Sequence, residues 1–341
     1  MNRNSFSVAT FNLYNLNLPG LPMYRDAEGW DADQYGRKVA WSARMLQEVQ
    51  PDVLGVQELW HADALAAVVE RAGLTEEYEV LAERATGGRI VCAAVVRRSL
   101  LVAGSARWVS TFPEALRLES AGEDPQTPMV DVRIPGFSRP VLRFELRLRE
   151  DQPATVVYVC HFKSKAPTQI WREPWYNADR ERYKAHTTAL GAALSTIRRT
   201  AEATALRVLL TEEMKGTVTP VIVLGDLNDG VGSNTLNVLT EQPRYLVGGS
   251  RGGGDIALYS AETLQKYRDT RDVYYTHVYQ DMRESLDHVL VSEQFYDHSY
   301  RRLWMFDGLA IYNDHLNVED HKERGTGDHG VVLVNFRHAP A

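Results

Sequence analysis

The sequence has few of the features that mark disulfide scaffolds, membrane proteins or proteins that coat nucleic acid. Only two of its 341 residues are cysteines, too few for a disulfide framework or a cysteine-based zinc site. No apolar run is long enough to span a bilayer. The formal net charge of −7 excludes binding of nucleic acid through bulk positive charge, but it leaves open a local basic groove or a metal-bridged phosphate.

The N-terminus gives no sign of a targeting segment. Residues 1–8 contain no apolar stretch of signal-peptide type and run directly into a strand pattern. The sequence therefore predicts a cytoplasmic protein without a transmembrane segment, monomeric by default, and a secreted location stays open if a signal peptide has been removed. Cys92 and Cys160 each lie in an apolar run of strand type, which predicts free, buried thiols.

Length and pattern favour one large domain. The chain could hold two average domains, but strand-like and helix-like stretches alternate over residues 1–341 with no break in composition. Residues 129–134 and 141–148 are expected to form a hairpin pair, and 177–215 one long helical segment. The glycine-rich residues 248–254 lack the Gly-Lys-Ser/Thr of a P-loop and are expected to form a surface loop.

Several strand-like runs end on polar side chains. The clearest is 221–224, followed by Gly-Asp226-Leu-Asn228; alone, it is as typical of a strand entering a turn, because Asp, Asn and Gly favour turns. Similar groups stand in or beside the other runs: Asn12, Glu58, His161, Asp287, Asp328 and His329. Because buried carboxylates need a metal or a cationic partner, so many polar positions predict one shared mouth of a sheet-based fold.

These residue types suit a hard divalent cation and a phosphate. Mg²⁺ and Mn²⁺ prefer oxygen ligands, which the carboxylates of Glu58 and Asp328 can supply. Asn12 and Asn228 can donate hydrogen bonds to phosphate oxygens. Water activated near a metal and attacking phosphorus would then complete the hydrolysis of a phosphoester.

Two histidines extend this chemistry. His161 and His329 can serve as acid, base or electrostatic stabiliser of a charged transition state. Either Asp287 or Asp226 can hold an imidazole ring in one tautomer. Without the other motifs, His161 would instead be interpreted as a satisfied core histidine.

Together the motifs resemble the endonuclease/exonuclease/phosphatase superfamily, which has the deoxyribonuclease-like fold of apurinic endonucleases, secreted nucleases, neutral sphingomyelinases and inositol polyphosphate phosphatases. The motifs occur in the family's order: Thr10-Phe11-Asn12, Gln57-Glu58, His161 after a buried strand, Gly225-Asp226-Leu227-Asn228, Ser285-Leu286-Asp287-His288 and Gly327-Asp328-His329. The family often has serine where Gly327 stands, a change that leaves both functional groups in place. The resemblance implies a four-layer α/β (α+β) sandwich of two packed mixed β-sheets flanked by helices.

The resemblance also implies a metal site and a water-activating group. Glu58 resembles the family's principal metal ligand, with Asn12 beside it. Asp328 resembles an acid that binds the metal or organises water. Asp226 resembles the residue that positions or deprotonates the attacking water, and Asn228 the residue that holds the scissile phosphate. The implied cofactor is Mg²⁺ or Mn²⁺, with Ca²⁺ as a structural or inhibitory occupant.

The family's two histidines have counterparts here. His329 resembles the histidine that contacts the phosphate in the transition state, with Asp287 as its carboxylate partner. His161 resembles the second family histidine, which is assigned to the phosphate or the leaving group. Which residue is the general acid and which the base stays open.

The expected substrate is nucleic acid, DNA or RNA. The His-Phe-Lys-Ser-Lys stretch that begins at His161 looks like that of bacterial nuclease-type members. Lys163 and Lys165 can contact phosphate, or can equally form a solvated loop face; Trp171 and Trp175 of the following aromatic loop can stack on a base or pack on the core. The alternatives are a hydrolase of small-molecule or lipid head-group phosphoesters and a non-catalytic binding protein on the same fold.

Overall fold

The computed structural model describes residues 2–25, 27–83, 88–123, 126–245, 255–271 and 274–339. The glycine-rich residues 248–254 lie outside these ranges. Among the described helices, none combines the length and the apolar character that crossing a membrane requires.

The described residues form sixteen β-strands and seven α-helices. The strands are β1 (Ser5–Leu16), β2 (Val53–Leu59), β3 (Tyr78–Leu81), β4 (Val91–Arg97), β5 (Arg107–Thr111), β6 (Glu119–Ser120), β7 (Val130–Asp131), β8 (Gly136–Leu146), β9 (Thr155–His161), β10 (Val221–Asp226), β11 (Tyr259–Ser260), β12 (His277–Tyr279), β13 (Met282–Glu284), β14 (Asp287–Val291), β15 (Trp304–Tyr312) and β16 (Val331–His338). The helices are α1 (Ala32–Val49), α2 (Ala62–Arg71), α3 (Pro174–Ala178), α4 (Arg180–Tyr183), α5 (Thr187–Met214), α6 (Asn234–Thr240) and α7 (Ala261–Arg268).

Two six-stranded sheets pack face to face and share one plan. Sheet A has the order β15-β16-β1-β2-β4-β3, and sheet B has the order β11-β14-β10-β9-β8-β5. The two central strands of each sheet are parallel, β1 with β2 and β9 with β10, whereas their outer neighbours run antiparallel to them. Two packed mixed sheets flanked by helices are what the sequence predicts, and this prediction is confirmed.

The central strands read as continuous apolar runs because both of their faces are covered. In β10, Ile222 and Leu224 lie in the core between the sheets, whereas Val221 and Val223 pack with residues of α5 and α6. Helices α1 and α2 cover the outer face of sheet A in the same way. Gly55 of β2 allows close approach of the sheets, since a Cβ there would lie 3.1 Å from the side chain of Val159.

The predicted hairpin of residues 129–134 with 141–148 is wrong. Strand β7 pairs with β6, and β8 pairs with β5 and β9. Met129 and Val130 are 71% and 51% exposed, so the apolar residues of this stretch do not enter the core. Apolar alternation alone does not predict which strand is the partner of which, because the pattern reports burial and not pairing.

The segment 177–215 is helical but is not one helix. Asp179 has φ −145° and ψ 61° and separates α3 from α4, so the long helix α5 begins only at Thr187. The first half of α5 packs on the preceding loop, because Ser195 Oγ donates a hydrogen bond to the Ala166 carbonyl at 2.8 Å. The apolar residues on the other side of this half are exposed: Leu190, Leu194 and Ile197.

Gly225 sets the spacing between β9 and β10 directly before Asp226. Its φ is +150°, and a Cβ built there would lie 2.0 Å from the Cys160 carbonyl oxygen. We therefore expect Gly225→Ala to lower the free energy of unfolding by about 3 kcal/mol, measured by chemical denaturation, because the methyl group clashes and the backbone is strained. Gly232→Ala, whose Cβ meets nothing within 4 Å, is the control; equal losses would contradict the argument.

Candidate active site

The polar strand ends meet at one mouth between the two sheets. Asn12 and Glu58 lie towards the carboxyl ends of the parallel strands β1 and β2, and His161 and Asp226 end the parallel strands β9 and β10. Carboxyl ends of parallel strands share one edge of a sheet, so each sheet contributes two of these side chains. Asn12 Nδ2 of sheet A donates to Asp226 Oδ2 of sheet B at 3.1 Å, which joins the two edges directly.

The antiparallel neighbours bring further residues to the same mouth. Asp287 begins β14 and stands opposite Asp226 in the ladder. His329 comes two residues before β16, which runs antiparallel to β1. Strands that run in the opposite direction present their first residues where the parallel strands present their last. The site is therefore a consequence of the sheet topology.

Local backbone distortions turn two of these side chains. Glu58 has φ +58° and lies where the register between β2 and β4 shifts after Val56. Asn228 has φ +54°, two residues beyond β10. Left-handed backbone is unfavourable for residues with a Cβ, and a bulge re-aims the side chain that it carries. Strain of this kind is concentrated at functional sites.

Asp226 is the acceptor at the centre of the site. It is 1% exposed, and besides the bond from Asn12 its Oδ1 accepts the Asn228 backbone N–H at 2.9 Å. The Nε2 atoms of His161 and His329 lie 3.5 and 3.9 Å from Asp226 Oδ2. Burial, with repulsion from Asp287 and Glu58, raises the pKa of Asp226 to about 7, although His329 opposes this rise.

His329 is held as a cation by the acids around it. Its Nδ1 lies 2.7 Å from Asp287 Oδ2, which fixes the ring and leaves Nε2 facing Asp226. Burial alone would lower the pKa of His329, but attraction by Asp287 and Asp226 holds it well above its ordinary value. The backbone carbonyl of His329 is in turn hydrogen-bonded to His315 Nε2 at 3.0 Å.

His161 has the opposite electrostatic character. It is buried, and burial together with the charges of Arg139 and His329 holds its pKa well below the ordinary value. A neutral imidazole 3.5 Å from Asp226 and 4.0 Å from Glu58 can donate or relay a hydrogen bond, but it does not supply positive charge. The two histidines of the site are therefore distinct in protonation.

Glu58 and Asp328 form the acidic side of the mouth. Burial, followed by repulsion from Asp328, raises the pKa of Glu58. Glu58 Oε2 accepts the backbone N–H of Asn15 at 3.1 Å. Burial would also raise the pKa of Asp328, but His329, Lys322 and His277 hold it below its ordinary value, and Lys322 Nζ lies 3.4 Å from Asp328 Oδ2.

The donor set fits a divalent cation. Asp328 repels Glu58, and Glu58 and Asp287 repel Asp226, a cost that a hard cation bound in the mouth would offset. Ligand atoms of Asp226, Asp287 and His329 also lie within 4.8 Å of one another. Within this second group, Asp287 and His329 already share a short hydrogen bond.

The two lysines predicted to bind substrate are engaged within the protein. Lys165 Nζ pairs with Glu284 at 2.6 Å and with Asp229 at 3.6 Å. Lys163 Nζ donates to the Ala166 carbonyl at 3.3 Å, and its backbone N–H donates to Glu202 at 2.7 Å. Lys163 lies at the rim of the mouth, whereas Lys165 is tied to the hairpin of β12 and β13.

Three further residues of the site were not predicted from the sequence. Arg139 of β8 donates to the Phe162 carbonyl at 3.1 Å, directly after His161.

Lys38 of α1 is 3% exposed, and burial lowers its pKa to about 8 although Asp328 and Glu58 attract its charge. Lys38 stands at helical spacing from buried Ser42, Met45 and Val49, and this spacing in the sequence indicates that Lys38 lies on the buried face of α1. The His277 ring lies 4.8 Å from that of His329.

Comparisons with known proteins agree with this fold. A family model described as the Endonuclease/Exonuclease/phosphatase family matches residues 9–329. No curated protein sequence matches the chain significantly.

Solved structures with a similar fold cover nearly the whole chain. An endonuclease/exonuclease/phosphatase from Bacteroides vulgatus is 12% identical with a TM-score of 0.55, and covers 99% of this chain and 100% of its own. The human Nocturnin catalytic domain with bound sulfate is 15% identical, with a TM-score of 0.56 and coverages of 99% and 96%. A mannosyl-6-phosphatase from Bacteroides thetaiotaomicron is 14% identical, with a TM-score of 0.54 and coverages of 97% and 99%.

At these identities the solved structures show the fold alone. The family model, in contrast, extends from β1 to His329 and so includes every strand end that contributes to the mouth. The chain belongs to the endonuclease/exonuclease/phosphatase family, whose members are phosphoester hydrolases.

Proposed function

We propose that this protein is a divalent-metal-dependent phosphodiesterase that cleaves nucleic acid by attack of water on phosphorus. The observation that carries the proposal is the arrangement around Asp226: a buried carboxylate within 4 Å of a neutral and of a cationic imidazole, beside the acidic pair Glu58 and Asp328. One acceptor, one cation and an oxygen-rich metal position are the parts that hydrolysis of a phosphodiester requires.

The residues divide the work according to their charge. Asp226 is fixed by donors from Asn12 and Asn228, so its carboxylate can orient a water molecule and accept a proton from it. The His329 cation, oriented by Asp287, can stabilise the negative charge that develops on the phosphate. Asn228 Nδ2 donates to the Phe162 carbonyl at 3.1 Å, which fixes the amide for contact with a phosphate oxygen.

The remaining groups would hold the cofactor. Glu58, with Asn12 and Asp328 near it, would bind Mg²⁺ or Mn²⁺, and the bound cation would supply Lewis-acid stabilisation of the phosphate charge. Neutral His161 would donate a hydrogen bond to a phosphate or leaving-group oxygen from its place between Glu58 and Asp226.

Charge near the site favours a polyanionic substrate. Residues 163–199, which begin two positions after His161, contain eight lysines and arginines and three carboxylates, in a chain whose net charge is −7. Two of the eight, Lys165 and Arg199, pair with Asp229, so the remaining six carry the excess charge of this segment. Trp171 and Trp175 of this segment are 47% and 43% exposed. Exposed aromatic rings in a basic segment are typical of surfaces that bind single-stranded nucleic acid. This distribution supports nucleic acid over a small phosphoester.

A small phosphoester is the second candidate substrate. The structural neighbour from Bacteroides thetaiotaomicron is a mannosyl-6-phosphatase, and it has the same fold over 97% of this chain. A panel of plasmid, single-stranded DNA, RNA, bis-p-nitrophenyl phosphate and sugar phosphates, each with Mg²⁺ and Mn²⁺, separates the two. We expect the nucleic acids to be cleaved fastest. Cleavage of sugar monophosphates alone would favour the second candidate, and no hydrolysis of any substrate would contradict an enzymatic function.

Asp287→Asn tests the role of the His329 cation. Loss of the carboxylate charge is expected to lower the pKa of His329, visible in a titration of its ring by NMR, and to lower kcat for a phosphodiester about a hundredfold. Asp307→Asn is the matched control, because Asp307 is half exposed and pairs with Arg337 at 3.3 Å. An unchanged kcat together with a lowered pKa would show that the charge of His329 is not used in catalysis.

Glu58→Gln tests the metal position. The neutral amide is expected to weaken Mn²⁺ binding at least tenfold, on the order expected for loss of a carboxylate ligand, in calorimetric titration. The rise in melting temperature that Mn²⁺ gives the wild-type protein should shrink accordingly. Glu48→Gln, on the exposed face of α1, should bind Mn²⁺ as the wild type does. Equal affinity in Glu58→Gln would place the metal at Asp226, Asp287 and His329 instead.

A further inference from the structure

A cavity beside the mouth is lined by cations and aromatic rings. It has a volume of about 370 Å³ and is formed by residues 23–25, 60, 88–90, 138–139 and 163. The residues that define it, here named the basic pocket, are Tyr24, Arg25, Trp60, Arg89, Arg139 and Lys163. None of them has been given a part in the cleavage step.

The charge of the basic pocket is of one sign. Four of its six defining residues are cations, and the described residues that line it include no carboxylate. The contacts of these cations within the protein are long or are made to neutral atoms. Arg89 lies 3.6 Å from Glu83, and Arg139 and Lys163 donate to backbone carbonyls. Burial and then the charge of Arg139 lower the pKa of Lys163. In a protein of net charge −7, such a concentration of cations is a built site for an anion.

One wall of the basic pocket is aromatic and partly rigid. The rings of Tyr24 and Trp60 lie 5.1 Å apart at 84°. Trp60 is 3% exposed, and its Nε1 donates to Asn15 Oδ1 at 3.0 Å, whereas Tyr24 is 48% exposed. A fixed indole supporting an accessible phenol ring offers a surface on which a nucleobase can stack.

The basic pocket is continuous with the reaction site. Asn15 binds Trp60 through its side chain and Glu58 through its backbone N–H, so one residue positions both the pocket wall and the acidic side of the mouth. Burial raises the pKa of both Tyr24 and Glu58, and the charge of Arg139 opposes that rise in both. Arg139 lines the basic pocket and donates to the Phe162 carbonyl directly after His161, so it borders both sites.

We propose that the basic pocket binds a second phosphate of the substrate, adjacent to the scissile one, with the intervening nucleoside against Tyr24. The protein then selects phosphodiesters that are flanked by another phosphate over isolated diesters. Arg25 and Arg89 are the specificity-determining residues, because Arg139 binds the Phe162 carbonyl and Lys163 belongs to the segment after His161, so that replacing either of those two would also disturb the reaction site. This inference rests on the proposed function of the neighbouring site.

The kinetic test uses thymidine trinucleotides. In two isomers, one of the two phosphodiesters is replaced by a neutral methylphosphonate, which leaves a single cleavable bond with an uncharged neighbour. For the wild-type protein, kcat/KM should fall about tenfold to hundredfold for at least one isomer relative to the unmodified trimer, as expected for loss of a charge-assisted contact. In the Arg25→Ala/Arg89→Ala variant, kcat/KM for the unmodified trimer should exceed that for each isomer about twofold, the factor expected from the loss of one of two cleavable bonds. The neighbouring phosphate charge then has no effect, because the two arginines that would bind it are absent.

A matched variant controls for loss of surface charge. Arg337→Ala removes an arginine that pairs with Asp307 at 3.3 Å, comparable with the pair of Arg89 and Glu83, and it lies at the opposite end of β16 from the mouth. The Arg337→Ala variant should keep the wild-type ratio of kcat/KM between the unmodified trimer and each isomer. Wild-type cleavage of both isomers within threefold of the unmodified trimer, or an unchanged ratio in the double variant, would overturn the proposal.

A binding measurement separates this proposal from the proposed function. In the metal-free protein with EDTA, the NMR signal of the Trp60 indole N–H should shift when the unmodified trimer is added. The affinity obtained from this titration should be about tenfold or more higher than the affinity for at least one methylphosphonate isomer. The double variant should lose this difference. If the wild-type protein cleaves no phosphodiester with any metal, the proposed function fails, and the titration alone decides the pocket: a difference in affinity supports it, and equal affinities overturn it.

Discussion

The structure depends on the burial of one carboxylate, that of Asp226, at the junction of two sheets. An isolated carboxylate in such a place would cost several kcal/mol, so it persists only because donors surround it. Those donors are the Asn12 side chain of sheet A and the backbone N–H of Asn228 in the turn after β10, and the rings of His161 and His329 lie 3.5 and 3.9 Å from the same carboxylate. The contacts that hold Asp226 in the site therefore also join the two sheets.

The same constraint explains the unusual backbone of the mouth. Glu58 and Asn228 have positive φ values, and Gly225 precedes Asp226 at a point where no side chain fits against Cys160. Each distortion costs about 1–3 kcal/mol in general, and the surrounding packing must compensate for it. The apolar strands supply that compensation, since both faces of β10 are buried. A rigid hydrophobic frame thus supports a strained and electrostatically crowded mouth.

The sequence predicted the sheets and the convergence of polar strand ends, because strand burial leaves a local pattern and parallel strands share an edge. The sequence did not predict which strands pair or where the helical segment 177–215 is interrupted: β7 pairs with β6, and α5 begins only at Thr187. It also missed Arg139 and Lys38, since a cation inside an apolar pattern is read as surface until the fold shows what it faces. The partners of Lys165, Glu284 and Asp229, are distant in sequence, so its engagement was not visible either.

In the proposed function, substrate would bind across two zones of opposite charge. The mouth concentrates carboxylates, and burial followed by repulsion between them raises the pKa of Glu58 and Asp226, so that a bound cation would be stabilising there. The basic pocket next to it concentrates arginines and a lysine, which creates affinity for an anion. A phosphodiester bound with a metal carries both signs, so it neutralises both zones at once, whereas a free metal or a free phosphate satisfies only one. Under the proposed function, specificity for a metal-bound phosphodiester follows from the pairing of the two zones, and removal of either zone should weaken binding of the partner that belongs to the other.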